Sequence, residues 1–307
     1  MGIGNMLMDI LSPILQSIGP YMPGETFPHF FISKNGPGLF ENALVAALIV
    51  TVLACLIGSY LMIRNLSLLG DGLAHVSFGG ICIGIVIGYT SPLIYALAFS
   101  TVSAVLIFTM QRKEILAGDA SIAIFSTGML GFGLVVLKIW GDGITVDVEG
   151  YLYGDLLLLD DQNLDFIVII STFSILSIWL IRNALLATII DPIAAQVQGI
   201  PEREIGLFFS IITAAVIVSM VKIVGVLLVT ALLITPAATA KQVGNSFKSC
   251  MFWAQIFGFI SVISGLYISA ETGAGSGSTI ALVAAVIFCF VAIYRNIVMQ
   301  KIFPENN

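Results

Sequence analysis

The chain has 307 residues, 58% hydrophobic and only 10% charged, with a mean hydropathy of +1.06 and a formal net charge of −6. Soluble domains carry roughly 25% charged residues, so this chain lacks the polarity to cover a water-facing surface and reads as one membrane domain. The negative charge and the lack of a basic cluster to hold phosphates exclude nucleic-acid binding.

Residues 1–38 stand apart from the rest. Met1 to Pro20 is weakly amphipathic, contains Asp9 and lacks the positive n-region of a signal peptide, so it reads as a surface or partly ordered segment. Residues 20–38 are rich in Pro and Gly and predict an irregular connection. Residues 39–300 form the spanning domain, and 301–307 are left as a tail.

Apolar runs at 41–63, 67–89, 92–110, 120–139, 164–181, 206–221, 224–240, 250–269 and 279–298 each approach the ~20 residues needed to cross a bilayer. The sixth and seventh form one continuous stretch with Lys222 and Gly225 at its middle. Splitting it there gives an all-α integral membrane protein, a polytopic helical bundle of about nine transmembrane helices. The alternative is eight, with one tilted helix and a re-entrant end. Nine spans place Arg64, Arg112, Lys113, Arg182, Arg203, Lys241, Lys248, Arg295 and Lys301 on the cytoplasmic side, and leave Lys34, Lys138 and Lys222 outside. That distribution follows the positive-inside rule and puts the N-terminus outside and the C-terminus inside.

Two connections are distinctive. Residues 140–165 carry Asp142, Asp147, Glu149, Asp155, Asp160, Asp161 and Asp165 without a Lys or Arg. They read either as a solvated acidic loop or as a surface that attracts cations or a partner. Residues 182–205 contain Asp191 followed by Pro192, which fit the start of a short helix, and Gly199, which fits its end. A capped helix of that length on the cytoplasmic face is unusual for a mere connector.

Ionisable residues inside a span are costly and face a pathway or a partner. His75 lies near the start of the second span, four residues after Asp71, so the two side chains share one helical face. A carboxylate oxygen with an imidazole nitrogen suits Zn²⁺, Mn²⁺ or Fe²⁺. The other reading is that Asp71 caps the helix and His75 bonds a neighbouring carbonyl. His29, in the irregular segment, has no assigned role. Cys55, Cys82, Cys250 and Cys289 lie in apolar segments without metal-type spacing and read as packed thiols. No nucleophile elbow, zinc-protease motif or phosphate-binding loop is present, so ATP-driven work would fall to another subunit.

The run Leu66-Ser-Leu-Leu-Gly-Asp-Gly-Leu-Ala-His-Val-Ser-Phe-Gly-Gly80 resembles the S-L-L-G-D-A-L-S-H-A-x-L-P-G signature of the ABC-3 permeases, the membrane subunits of bacterial zinc, manganese and iron ABC importers. Val224-Gly-Val-Leu-Leu-Val-Thr-Ala-Leu-Leu-Ile-Thr-Pro-Ala-Ala-Thr-Ala240 is similar to that family's G-x-L-L-V-x-A-L-L-I-x-P-A-A-x-A stretch. Tyr151-Leu-Tyr-Gly-Asp-Leu-Leu is similar to L-F-G-D-I-L, and Ala194-Ala-Gln-Val-Gln-Gly-Ile to the A-x-x-x-G segment that couples to the ATPase. The chain departs from the pattern at Ala74, where the family has Ser, and at Gly79, where it has Pro.

The resemblance covers about residues 40–298. It implies an ABC-importer permease fold in the bacterial cytoplasmic (inner) membrane, surrounded by lipid and paired with a second copy of itself. It also implies two cytoplasmic ABC ATPase subunits docked at Asp191, Ala194, Ala195, Gln198 and Gly199, and an extracytoplasmic metal-binding protein that delivers the ion. Asp71 and His75 would contact the passing metal, which is the transported substrate. The chain itself would hold no cofactor and would not be an enzyme, since the partner uses the ATP. Three other readings compete: a secondary metal-ion transporter or channel without an ATPase, a permease for vitamin B12 or siderophores, and an intramembrane enzyme. Paired half-length broken helices would mark the first. A bulky-ligand permease has no reason to place Asp and His together. An enzyme would need a constellation beyond that pair.

Overall fold

The computed structural model describes residues 3–33, 36–37, 41–88, 92–116, 118–141, 146–154 and 161–302. Its helices are α1 (Ile3–Ile18), α2 (Glu41–Ile63), α3 (Leu68–Ile87), α4 (Pro92–Arg112), α5 (Gly118–Trp140), α6 (Val146–Tyr153), α7 (Asp161–Ile190), α8 (Pro192–Val197), α9 (Glu202–Val224), α10 (Val229–Leu233), α11 (Thr235–Val243), α12 (Phe247–Thr272) and α13 (Ser276–Ile302). Among the described residues, nine segments are long and apolar enough to cross a membrane: α2, α3, α4, α5, α7, α9, the broken run Val226–Val243, α12 and α13. The nine-span division therefore describes the chain better than the eight-span one.

The break after α9 has a local cause. Gly225 sits at φ +84°, and a Cβ there would lie 2.4 Å from the backbone nitrogen of Gly154, itself at φ +81°. The two glycines let the connection after α6 press against the end of α9, at a distance no side chain permits. Beyond Gly225 the chain makes one 3₁₀ turn, Val226–Leu228, then α10, and restarts as α11 with Pro236 in its first turn. On the other side of this broken span, a Cβ on Gly58 would meet the Leu233 carbonyl oxygen. The backbones of α2 and α10 therefore touch, as small residues allow in membranes.

The bundle has a buried centre and a lipid-facing rim. About 78% of the α2 span and 72% of the α9 span is buried within the chain, against 28% for α13. Leu53, Ile57, Phe78 and Phe209 are among the largest fully buried side chains of the central layer. Phe290, Tyr294, Leu282 and Val286 of α13 lie open, which in water would be a liability and in acyl chains is the rule.

Two expectations shift. The fifth span, expected over 164–181, is a 30-residue helix, because no glycine or proline stops it where the hydropathy falls at Arg182. At 1.5 Å per residue it is ~45 Å long, longer than the ~30 Å hydrocarbon core. Arg182 is held over the Trp179 ring, 5.6 Å from its centroid.

The N-terminal segment is also more regular than its composition predicts. Residues 3–18 form one helix, although Pro13 removes a backbone donor from its interior. The Gly4 N–H donates to Asp165 Oδ1 at 2.6 Å, an acceptor for an otherwise unsatisfied first-turn amide. The rest is irregular as expected: 3₁₀ turns at Gly19–Tyr21 and Phe27–Phe30, and a short antiparallel pairing of Ile32–Ser33 with Gly36–Pro37. Glu271, at the end of α12, accepts the N–H groups of Glu25, Thr26 and Phe27 at 3.2, 2.9 and 2.9 Å. Phe27 is buried edge-on against Tyr267, ring centroids 5.4 Å apart. In the acidic connection, Asp142, Asp155 and Asp160 lie outside the described residues. Part of what remains is α6, where Tyr151 lies under the Lys222 ammonium at 4.7 Å.

Candidate functional site

The first polar cluster is built on the opening turns of α3. Asn65, at φ +57°, reverses the chain after α2, and Leu66 closes the turn with an N–H donated to the Leu61 carbonyl. Asp71 follows in the first turn of α3, where the helix dipole favours a carboxylate. His75 stands one turn later, with Nε2 3.7 Å from Asp71 Oδ2. That separation is too long for a hydrogen bond. Two ligands with bonds of about 2.1 Å around one ion sit roughly 3.4 Å apart, so the spacing fits a chelating pair.

Two further features belong to this pair. Thr230 Oγ1 donates to Asp71 Oδ1 at 3.1 Å, which leaves Oδ2 on the histidine side. Thr230 reaches it only because the chain breaks at Gly225 and restarts as α10 beside α3. His75 Nδ1 is buried without a hydrogen-bond partner, an arrangement that costs free energy in a purely structural histidine. The Asp71 side chain is 43% exposed, so the cluster opens to a surface of the chain. Among the described residues no three His, Cys, Asp or Glu side chains come together to hold a metal. One chain therefore offers two strong donors, an incomplete shell for a transition metal.

The second cluster surrounds α8. Asp191 is extended, at φ −146°, and its Oδ1 accepts the Ala194 N–H at 2.9 Å. Pro192 supplies a preset first turn, Gln198 closes the helix, and Gly199 at φ +79° leaves it. Asp191, Gln198 and Gly199 are exposed and Ala194 is half-buried, while Ala195 points into the chain at 2% exposure. Ile193 and Val197 take the outward face, 75% and 83% exposed. Sequence reasoning missed both, although apolar residues four apart on a six-residue helix beyond the spans were a usable signal.

Behind α8 lies a charged cluster. Gln196 Nε2 donates to Glu202 Oε2 at 3.3 Å, and Arg112 Nη1 pairs with the same oxygen at 3.2 Å. Arg64 lies over the Phe108 ring at 5.8 Å from its centroid. Burial lowers the Arg64 pKa from its ordinary value, and the charge of Glu202 opposes that shift. The cluster joins α8 and α9 to the end of α4 and to the turn that leads into Asp71.

The model of the ABC 3 transport family matches residues 38–295, most of the chain. The chain belongs to the ABC 3 transport family. It is 32% identical to the manganese transport system membrane protein MntC of Halalkalibacterium halodurans over 259 residues, 84% of this chain and 88% of that one. It is 29% identical to the high-affinity zinc uptake system membrane protein ZnuB of Haemophilus influenzae over 249 residues, 80% of this chain and 94% of the relative. Among solved structures, PsaBC from Streptococcus pneumoniae in complex with Fab superposes with a TM-score of 0.73 at 29% identity, covering 82% of this chain and 90% of that one. The chain has the ABC-importer permease fold, with nine candidate spans among the described residues. The family match begins just before α2, so α1 and the turns after it lie outside it.

Proposed function

We propose that this chain is the membrane permease subunit of an ATP-driven importer for divalent transition metal ions, and that Asp71 and His75 contact the ion in transit. The observation that carries the reading is the Asp71–His75 pair, oriented by Thr230 at the break of the seventh span, in a chain of this family. An oxygen and an imidazole nitrogen accept manganese, iron or zinc without strong preference. The curated relatives named for manganese and for zinc agree with that breadth. Two donors per chain leave a shell to be filled by a second copy, by water, or by both. The shell is thus weak enough for the ion to leave, as conduction requires.

The chain has no phosphate-binding loop, so the energy comes from cytoplasmic ATPase subunits docked at α8. Ile193 and Val197 would enter the partner as apolar knobs, with Asp191, Ala194, Gln198 and Gly199 around them. Ala195 supports the helix from within. Movement of α8 would reach α3 through Gln196, Glu202, Arg112 and the Arg64 turn. An extracytoplasmic metal-binding protein would deliver the ion from the opposite side, in the bacterial inner membrane.

The test is metal uptake in cells carrying Asp71→Asn or His75→Leu, with the folded amount in the membrane measured in parallel. Asn keeps the size of Asp71 and removes its charge; Leu removes the imidazole nitrogens. Each is expected to abolish or strongly reduce uptake at normal membrane level and normal ATPase pairing. Uptake that falls only in step with the folded amount would return the pair to a capping role.

A further inference from the structure

The helix that the family match leaves out divides its surface three ways. Gly4 is buried against Leu164 and Asp165, and Leu7, Met8 and Leu15 pack toward the core of the bundle. On the opposite arc Asp9 and Gln16 are exposed, and Gln16 donates to Ser12. Between these arcs runs a third stripe, Ile3, Met6, Ile10 and Ile14, each 54–68% exposed. Residues at this spacing lie on one face of a helix. A helix at home in water has no reason to expose that face, and a spanning helix has no use for the polar arc.

Two anchors fix how α1 lies. Its first turn is bonded to Asp165, where the α7 span begins at Asn163. The chain that follows it is held by Glu271, where α12 ends. The start of α7 and the end of α12 lie on the same side of an alternating bundle, so α1 runs along that surface rather than through it. Its 16 residues span ~24 Å, also too short for the ~30 Å core. The helix it rests on also opens an apolar face of the kind that acyl chains cover. On α7, starting one turn below Asp165, Ile169, Phe173, Leu176 and Leu180 are 50–68% exposed at helical spacing.

We propose that α1 is an in-plane interfacial helix. Ile3, Met6, Ile10 and Ile14 enter the boundary between headgroups and acyl chains, Asp9 and Gln16 face water, and the third face rests on α7. Such helices bind by apolar burial, by attraction to anionic headgroups, or by both. With no Lys or Arg in α1, only the first operates here, so the attachment is insensitive to lipid charge and to salt.

The full chain, with Cys250→Ser and Cys289→Ser to remove the accessible thiols, is reconstituted in phosphatidylcholine vesicles with or without phosphatidylglycerol. Single cysteines at Ile10→Cys, Ile14→Cys, Asp9→Cys and Gln16→Cys carry a polarity-sensitive fluorophore. Probes at 10 and 14 are expected to be quenched several-fold more by brominated lipid than by aqueous iodide, those at 9 and 16 the reverse, and equally in both lipid mixtures. The two stripe positions duplicate each other, so one poorly folding variant does not decide the result. Iodide quenching at 10 and 14 would show a water-exposed helix and overturn the proposal. Protection of both from either quencher would show a protein partner or a second copy on the stripe, and would overturn it too. The readout needs no transport, so it stands or falls independently of the metal pathway.

Discussion

The Asp71–His75 cluster and the α8 end each reverse the polarity of their surroundings, in opposite senses. Around Asp71 the chain sets a carboxylate, an imidazole and a hydroxyl among apolar helices, and leaves His75 Nδ1 buried without a partner. At α8 it leaves Ile193 and Val197 open, where an apolar side chain gains nothing in water alone. The first arrangement lowers the free energy of the chain only when something polar or charged enters, and the second only when something apolar covers it. The proposed occupants, an ion in one case and a protein surface in the other, fit these two environments. Behind α8, Glu202 takes a hydrogen bond from Gln196 and pairs with Arg112 at the end of α4.

The largest effect outside the Asp71–His75 pair should come from reversing the exposed face of α8. Ile193→Asp with Val197→Asp is expected to abolish co-purification of the ATPase while the membrane level stays normal, because neither side chain packs within the chain. Ala195→Trp should behave differently. Its methyl is buried against its own chain, so bulk there overpacks at about 1–3 kcal/mol and lowers the folded amount together with assembly. If Ala195→Trp blocked assembly without loss of folded protein, the two faces of α8 would have to be exchanged.

Glu202→Gln should act between the two ends. It leaves Ile193, Val197, Asp71 and His75 in place but removes the charge shared by Arg112 and felt by Arg64. ATPase assembly is expected to persist and transport per ATP hydrolysed to fall several-fold, read as metal uptake against phosphate release. An unchanged ratio would remove this cluster from the path.

The smallest effect is expected at Thr230→Val, which keeps the shape and loses the hydrogen bond to Asp71. A bond of this kind contributes about 0.5–1.5 kcal/mol, so uptake should fall by a factor of roughly two to ten, with Thr230→Ser restoring most of it. No change would mean that Asp71 is held well enough by α3 alone.

The spans were legible because apolar length is dictated by the bilayer, and the Gly225 break because it interrupts a run too long for one helix. Asp71 and His75 were legible as a pair because four residues is one helical turn. Thr230 was not, since its contact with Asp71 crosses 159 residues and depends on how far α10 restarts from the break. Nor was the Arg112–Glu202 pair, for the same reason of sequence distance. The extension of α7 to Ile190 escaped because hydropathy reports where lipid ends, whereas a helix ends only at a breaker, and none stands before Asp191. The buried side of α8 was not legible because a six-residue helix has too little periodicity to fix it. Its small residue, Ala195, turned inward and its large ones outward. The helix α1 was underestimated because Pro13 and the Pro- and Gly-rich segment after it weakened a signal whose stripe is clear once it is docked on α7.

In the proposed function an ion passes the Asp71–His75 pair under power supplied by a separate ATPase. The most direct measurement is accumulation of radiolabelled manganese or zinc in vesicles that carry the chain with its ATPase partner, with and without ATP, for the unaltered chain and Asp71→Asn at equal protein. ATP-dependent accumulation that disappears in Asp71→Asn, while ATPase pairing is retained, is the predicted result. Accumulation that proceeds without ATP, or that survives in Asp71→Asn, would contradict it.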